Sequence, residues 1–343
     1  MEKLISSRSN LQLVPESYVI PPESRPGNAK VPLFETIPVI DIAGELGSDR
    51  AQLVKQIMQA CQDFGFFQLI NHGVSKKLMH DVLEVVNELF ELPAKDKESI
   101  CSEDPKQSCR LYASIDYDRE KVHYWRETLR HPCHPLEEHV QFWPEKPARY
   151  RKVVGSYSAE VMKLSLWLLD LICEGLGFEA GYFEDHELTQ NQLMYINHYP
   201  PCPDPSLTLG LPKHSDPNLL TLLLQEKVSG LQILKDGEWL GVEPNPNAFV
   251  VNVGLTLQII SNGKLLGAEH RAVTQKNVAR TSIATFIYPS ENCHIGPEKS
   301  LLSECSSTTP PLYRGFAYKD YLSSYVADTN ESVPPLERYK IQY

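Results

Sequence analysis

The chain has 343 residues, of which 42% are hydrophobic and 22% are charged, a composition typical of a folded globular protein. With 33 Lys and Arg against 44 Asp and Glu, its net charge is −11. This charge repels nucleic-acid phosphates and anionic membrane surfaces, so we expect neither as a partner. We find no apolar stretch long enough for a membrane span and no apolar core of a secretory signal, and the 8 cysteines form no CxxC pair. We therefore expect a cytoplasmic protein with free thiols.

Hydrophobic spacing, with Gly and Pro as breakers, predicts helices and short strands after a Pro-rich N-terminal arm. In chain order we predict a strand over 37–41, a helix over 52–64 ended by Gly65, a strand over 66–70, a helix over 75–92, a polar loop or lid over 96–124 and a long helix over 148–176. The N-terminal half is therefore expected to be mainly helical.

Beyond residue 192, short apolar runs alternate with turn residues, a texture typical of a sandwich or barrel. The runs are 193–199, 219–225, 230–234, 249–253 and 282–288, followed by a predicted helix over 318–326. We expect this β core to hold the chemistry of the protein.

Two histidines and one aspartate form a candidate metal site. His214 and Asp216 are separated by one residue, so on a strand both side chains would face the same cavity. His270 would supply a third ligand from another strand. Two His and one carboxylate suit non-haem Fe(II), because three coordination positions stay open for a cosubstrate and dioxygen. A zinc hydrolase would also tolerate this set, and each side chain could instead be purely structural.

A candidate anion clamp follows the second histidine. Arg280 and Ser282 share one face of a predicted strand. An arginine can hold a carboxylate through two hydrogen bonds, and the hydroxyl adds a further donor. Tyr199 offers a phenol to the same group. A dicarboxylate ligand would satisfy a buried guanidinium, whereas the structural alternative is a salt bridge within the core.

These motifs, with the surrounding sequence, closely resemble the plant 2-oxoglutarate- and Fe(II)-dependent dioxygenases over nearly the whole chain. The carrying stretches are IPVIDIAG at 37–44, ACQDFGFFQLINHGV at 60–74, NHYPPCPDPSLTLGLPKHSDPNLLTLLLQ at 197–225, GLQILKDGEWLGVEPNPNAFVVNVG at 230–254, ISNGKLLGAEHRAV at 260–273 and RTSIATF at 280–286. The resemblance includes branches similar to hyoscyamine 6-hydroxylase and to salicylate hydroxylases.

The resemblance implies a mainly β fold wrapped by helices, namely a distorted double-stranded β-helix, or jelly roll, of cupin-like type. Residues 1–150 would form a mixed α/β N-terminal region. Residues 151–343 would contain a linking helix, the jelly-roll core and a C-terminal helix. We also expect a monomer.

The same resemblance implies site residues and cofactors. His214, Asp216 and His270 match the iron ligands. Arg280 and Ser282 match the clamp for the distal carboxylate of 2-oxoglutarate, with Tyr199 as a further contact and Asn197 near the keto-acid end. The cofactors would be Fe(II), 2-oxoglutarate as cosubstrate and O2, with ascorbate as reductant. The reaction would hydroxylate, desaturate or cyclise a small plant metabolite and release succinate and CO2.

A small-molecule substrate pocket is expected at the barrel mouth. Candidate lining residues are aromatic, as suits a planar or bulky apolar molecule, although core packing would explain any one of them. They are Phe286, Tyr112, Tyr117, Tyr124, Tyr288 and Tyr325. Two other functions stay open: a catalytically idle relative that binds a small molecule or partner, and a relative that uses ascorbate in place of 2-oxoglutarate.

Overall fold

Two β-sheets organise the chain in a computed structural model that describes residues 4–7, 11–26, 31, 33–34, 37–43, 50–114, 120–302, 310–331, 334 and 336–342. The strands are β1 (Leu33–Phe34), β2 (Val39–Asp41), β3 (Phe66–Ile70), β4 (Arg110–Tyr112), β5 (Glu127–His134), β6 (Asn191–Tyr199), β7 (Leu211–His214), β8 (Leu220–Gln225), β9 (Leu231–Lys235), β10 (Glu238–Val242), β11 (Ala248–Val253), β12 (His270–Ala272), β13 (Arg280–Tyr288), β14 (His294–Ile295) and β15 (Phe316–Ala317). The α-helices are α1 (Arg50–Asp63), α2 (Lys76–Glu91), α3 (Ala94–Lys97), α4 (Leu136–His139), α5 (Tyr150–Leu176), α6 (Tyr182–Asp185), α7 (Leu255–Ile260) and α8 (Tyr318–Glu331).

The larger sheet has eight strands in the order β2-β3-β11-β8-β13-β6-β5-β4, and the smaller has five in the order β1-β10-β9-β12-β7. Most neighbouring strands are antiparallel, and the parallel exceptions are β2 with β3 and β1 with β10. Phe66 and Val250 of the large sheet pack in one apolar cluster with Leu231 and Ile233 of the small one. The sheets therefore face each other without closing into a continuous barrel, and helices cover them, as the jelly-roll prediction requires.

The two faces of the large sheet differ because side chains alternate along each strand. Ile196 and Ile283 point to one face, where they join the main core with Val161 and Leu168 of α5. Ser282 and Asn197, opposite each other on β13 and β6, belong to the alternate face. This second face carries the predicted clamp and looks toward the small sheet.

Most predicted elements are confirmed, and their limits follow local chemistry. The strand over 66–70 matches β3, and α2 lies within the predicted 75–92. Gly65 ends α1 with a φ of 67°, in the left-handed region that glycine adopts without strain. A Cβ on Gly65 would also meet the Leu266 carbonyl oxygen at 2.1 Å, so this turn packs directly on a distant backbone.

One expectation for the N-terminal half was wrong. The segment 96–124 is not uniformly irregular, because α3 extends into its start and β4 lies within it. The half is mainly helical, as expected, although its strands β2, β3, β4 and β5 join the large sheet. The division of the chain at residue 150 stays a prediction. Within the described residues, we find no helix with the length and apolar character needed to cross a bilayer.

Candidate active site

The three predicted metal ligands meet at one end of the small sheet. β12 pairs with β7 in antiparallel fashion and sets His270 directly opposite His214. Their ring centroids are 4.2 Å apart. Asp216 does not share a strand face with His214, as the spacing argument assumed, because β7 ends at His214 and the aspartate lies in the following turn. The chain still folds back so that ligand atoms of all three side chains lie within 4.8 Å of one another.

Both imidazoles are oriented by the backbone. Nδ1 of His214 lies 2.9 Å from the Pro212 carbonyl oxygen, and Nδ1 of His270 lies 3.2 Å from that of Ala268. A proton on each Nδ1 leaves Nε2 as the free lone pair, the tautomer that a metal ligand requires. Both Nε2 atoms point to Oδ1 of Asp216, at 3.5 and 3.6 Å.

The carboxylate of Asp216 is fixed through its other oxygen. Oδ2 accepts hydrogen bonds from Thr221 Oγ1 at 2.6 Å and Asn252 Nδ2 at 2.9 Å. This arrangement leaves Oδ1 directed between the histidines. Sequence reasoning missed both donors, although each is a polar residue flanked by apolar residues in a buried strand, and that signal could have found them.

Protonation also suits a metal. Burial, followed by the nearby His214, lowers the pKa of His270 to about 4, so the ring is neutral near pH 7. Burial alone would raise the pKa of Asp216, but His270 and His214 and the hydrogen bond from Asn252 hold it below its ordinary value. Two imidazoles and one carboxylate on one side of an ion fit Fe(II) with positions left open.

The predicted clamp lies on the large sheet facing this site. Arg280 is 2% exposed, and its Nη2 donates a hydrogen bond of 2.9 Å to Gln225 Oε1. Its Nη1 is 3.5 Å from Ser282 Oγ, and the Tyr199 ring centroid is 5.1 Å from Cζ. Gln225, which sequence reasoning missed, ends the apolar strand β8. The structure thus brings together Arg280, Ser282 and Tyr199.

Arg280 is nevertheless incompletely satisfied. Its Nε is buried without a hydrogen-bond partner, and among the described residues no carboxylate forms an ion pair with its guanidinium. Burial accordingly lowers its pKa. A buried cation in this state is costly unless an anion joins it, so the structural alternative of a core salt bridge is not seen among the described residues and the predicted carboxylate ligand fits.

Glycines make room for the clamp. A Cβ on Gly230 would approach Arg280 Cδ at 2.8 Å, and one on Gly210 would meet the Tyr199 ring at 2.3 Å. Backbone therefore lies directly against both side chains and limits their movement. Asn197 is placed beside them, and its Oδ1 accepts hydrogen bonds from Thr128 Oγ1 at 2.9 Å and Arg126 Nη1 at 3.4 Å.

Comparison with known proteins agrees with this geometry. Residues 190–289 match the 2OG-Fe(II) oxygenase superfamily, and residues 37–148 match the N-terminal region described as non-haem dioxygenase in morphine synthesis. The chain is 46% identical over 340 residues to hyoscyamine 6-dioxygenase of Hyoscyamus niger, covering 96% of each chain. It is 42% identical over 313 residues to flavanone 3-dioxygenase 2 of Oryza sativa subsp. japonica, covering 91% of this chain and 90% of the relative. The chain belongs to the plant Fe(II)- and 2-oxoglutarate-dependent dioxygenases.

A solved structure of this dioxygenase family confirms the fold. The crystal structure of JOX2 in complex with 2OG, Fe, and JA superposes with a TM-score of 0.84 at 29% identity, covering 99% of this chain and 98% of that one. The dioxygenase described here therefore has the double-stranded β-helix expected from its sequence. Its cofactors are Fe(II), 2-oxoglutarate and dioxygen, with ascorbate as the customary reductant, and its substrate is a small molecule.

The predicted aromatic residues of the dioxygenase occupy different environments. Phe286 is half-buried and its ring centroid is 5.0 Å from that of Tyr195, on the strand face that also carries Arg280. Tyr112 is 4% exposed beneath the guanidinium of Arg110. Tyr124 is half-buried before β5.

The remaining three candidate aromatic residues are Tyr288, Tyr325 and Tyr117. Tyr288 lies beside Tyr318 of the C-terminal helix, with centroids 6.4 Å apart. Tyr325 of the same helix donates a hydrogen bond of 2.8 Å to the carbonyl of Ser215, between two predicted ligands. Tyr117 lies outside the described residues. The roles of all six in substrate binding stay predictions.

Proposed function

We propose that this enzyme oxidises a small plant specialised metabolite, such as an alkaloid, a phenolic or flavonoid, or a hormone, by hydroxylation, desaturation or ring closure. Support comes from relatives named for hyoscyamine and flavanone and from a structural neighbour holding JA. The single observation that carries the proposal is the pairing of a convergent His-Asp-His set with a buried, uncompensated Arg280 on the opposite sheet.

We propose that His214, Asp216 and His270 hold the iron. The backbone carbonyls of Pro212 and Ala268 fix the histidine tautomers, and Thr221 and Asn252 fix the aspartate, so the ligands are oriented before the metal binds. When bound, iron supplies the activation of dioxygen that accompanies oxidative decarboxylation of the cosubstrate. The protein residues contribute geometry and exclusion of water.

We propose that 2-oxoglutarate binds between the two sheets. Arg280 and Ser282 would receive the distal carboxylate, with Tyr199 beside them and Asn197 toward the keto-acid end. The planar guanidinium can donate two parallel hydrogen bonds to a carboxylate, and burial strengthens that charge-assisted contact. Phe286, Tyr112 and Tyr124 would then border the organic substrate, with Tyr288, Tyr325 and Tyr117 as further candidates.

We also propose a cytoplasmic monomer. The described cysteines are unpaired, which suits a reducing compartment. The exposed large hydrophobic residues are scattered in sequence rather than gathered in one run, and they are Leu13, Val39, Phe142, Leu266, Val278 and Leu312. Neither feature calls for a partner chain.

Oxygen uptake by the Fe(II)-loaded protein with a plant metabolite extract tests the function. We expect uptake that requires 2-oxoglutarate, forms succinate, and yields products heavier by one oxygen or lighter by two hydrogens. Anaerobic addition of Fe(II) and 2-oxoglutarate should give a weak visible charge-transfer band. Uptake supported by ascorbate alone would indicate the ascorbate-using relative. Absence of both band and succinate would indicate an idle binding protein.

A further inference from the structure

Three arginines border the far side of the clamp face, and none belongs to the predicted clamp. Arg126 immediately precedes β5, Arg130 lies on β5, and Arg110 lies on β4; we call them the arginine wall. Arg126 contacts Asn197, which pairs with Ser282 on the clamp face. Arg130 is opposite Tyr195, the neighbour of Phe286. Side-chain alternation therefore places both on the same face as the clamp.

Arg126 is the member of the wall whose buried charge is least balanced by its described neighbours. Its side chain is 8% exposed, and its Nε is buried without a hydrogen-bond partner. Its contact with Asn197 is long, at 3.4 Å. Over the described ranges we find no carboxylate in an ion pair with it. A neighbouring amide oxygen does not balance a buried cation, so the group favours an incoming anion.

Arg130 repeats the pattern at the edge of the sheet, where it lies directly opposite Arg110 in the β4–β5 pairing. Among the described residues, Arg130 Nε is buried without a hydrogen-bond partner, and Arg130 Nη1 contacts the Pro105 carbonyl at 3.4 Å. Arg110 binds the carbonyls of Ser102 and Ser114.

Two acids in the described part of the chain near the wall, Glu127 and Glu120, have other partners. Glu127 points to the opposite sheet face, where it accepts hydrogen bonds from the Ser6 backbone at 2.5 Å and hydroxyl at 3.0 Å. Glu120 accepts a hydrogen bond from Ser114 and lies 3.6 Å from His123 Nδ1. Tyr112 stands among the three arginines: burial raises its pKa, and Arg126, Arg110 and Arg130 each lower it.

We propose that the arginine wall binds a carboxylate of the organic substrate, so that the enzyme oxidises a carboxylic acid held by Arg126 and Arg130. The inference rests on the proposed function, because it assumes that the clamp face is the reaction cavity. The apolar part of the acid would lie along Phe286 and Tyr195, while Arg280 remains available for 2-oxoglutarate. A substrate bearing only an amine would find no matching charge on this wall.

The anion could instead be the keto-acid end of 2-oxoglutarate, since Arg126 touches Asn197. A substrate carboxylate and the keto-acid end of 2-oxoglutarate would give different binding results. If the wall serves the substrate, binding of an aromatic monocarboxylate is additive with saturating 2-oxoglutarate. If it serves the cosubstrate, loss of Arg126 weakens 2-oxoglutarate and leaves the monocarboxylate unaffected.

Calorimetric titration of full-length protein loaded with Mn(II) and saturating 2-oxoglutarate provides the test. The probes are 4-phenylbutyrate and its uncharged amide. We expect the acid to bind at least tenfold more tightly than the amide, and Arg126→Gln and Arg130→Gln each to remove most of that preference. Arg126→Lys should retain part of it. Arg151→Gln, which removes a guanidinium bonded to the Trp143 carbonyl, is the matched control and should retain all of it.

Each outcome separates this inference from the proposed function. If 2-oxoglutarate binds and the wild type does not distinguish acid from amide, the arginine wall does not bind a substrate carboxylate and the inference is overturned, while the function stands. A rise in the 2-oxoglutarate Kd for Arg126→Gln, with acid preference intact, assigns the wall to the cosubstrate and overturns the inference. Failure of the wild type to bind 2-oxoglutarate defeats the proposed function. If Arg126→Gln does not fold, the half-buried Arg130→Gln decides.

Discussion

The metal end and the arginine-rich side of the cavity differ in how far hydrogen bonds within the protein satisfy their polar groups. At the proposed metal end, each candidate ligand is held by a hydrogen bond: Pro212 and Ala268 hold the histidines, and Thr221 and Asn252 hold the aspartate. On the large sheet, buried guanidinium groups among the described residues keep donors without partners. The proposed ligands are thus oriented by the protein alone, whereas the guanidinium donors would be satisfied by the organic anions that we propose. Metal should therefore bind independently of cosubstrate, while cosubstrate and substrate should stabilise the fold measurably.

The largest effect is expected from removal of one of the proposed metal ligands. His214→Ala or His270→Ala should abolish Fe(II) binding and turnover, because each removes one of three ligands. Metal content after gel filtration, with 2-oxoglutarate-dependent oxygen uptake, measures both. His80→Ala is the control, since His80 belongs to an exposed His-Asp-Glu group on α2 that could also attract metal. Retention of stoichiometric iron by a folded His270→Ala variant would contradict the ligand assignment.

The next largest effect is expected from substitution of Arg280 in the proposed carboxylate clamp. Arg280→Ala should raise the KM for 2-oxoglutarate by roughly 100-fold, because two charge-assisted hydrogen bonds worth about 3 kcal/mol together are lost. The kcat should fall less, since the residue holds the remote carboxylate rather than the reacting end. Arg280→Lys keeps the charge without the two-pronged geometry and should lie between. An unchanged KM for 2-oxoglutarate in Arg280→Ala would contradict the assignment of Arg280 to the carboxylate clamp.

A smaller effect should sharpen the contrast by weakening the support of one ligand. Thr221→Val and Asn252→Ala each remove a hydrogen bond to Asp216 Oδ2, and each should lower metal affinity by about 10- to 100-fold. Competition with a chelator measures the Kd for Fe(II) or Mn(II). Asn247→Ala, at an exposed turn, is the control. Equal metal affinity in all three variants would show that Asp216 needs no such support.

The smallest effect concerns the link between the C-terminal helix and the metal segment. Tyr325→Phe removes the hydrogen bond to Ser215 and should lower the free energy of unfolding by about 1 kcal/mol. Urea denaturation measures the change. Tyr321→Phe is matched, because the Tyr321 hydroxyl is buried without a hydrogen-bond partner and its loss should cost nothing. A larger loss in Tyr321→Phe than in Tyr325→Phe would reverse the interpretation.

Where the sequence predicted elements well, one local signal dominated. β3 is a short run after a glycine that is apolar except for Gln68, and α5 is a long amphipathic segment ended by Gly177, so each could be placed within about two residues. β5 was missed because ETLRHPCH mixes charge, histidine and proline, and its stability comes from pairing with β6 and β4. Such a strand is specified by neighbours distant in sequence.

The candidate site divides in the same way. Residue chemistry and resemblance singled out His214, Asp216 and His270, and the fold brings them together. The reason first given for Asp216 was wrong, since it lies past the strand end and is positioned by Thr221 and Asn252. The sequence did not reveal the arginine wall, because an arginine among other charged residues is typical of a solvent-exposed face. The burial of Arg126 is evident only in the structure.

The hydrogen bond from Tyr325 connects the C-terminal helix to the segment of the proposed metal ligands. Ser215, which accepts it, is the residue between His214 and Asp216. If these two residues hold the iron, a molecule bulky enough to displace the helix would shift the backbone that joins them. We therefore expect retention of the ion to depend on the size of the bound molecule, and metal loss on ligand addition would distinguish oversized inhibitors from molecules that the enzyme turns over.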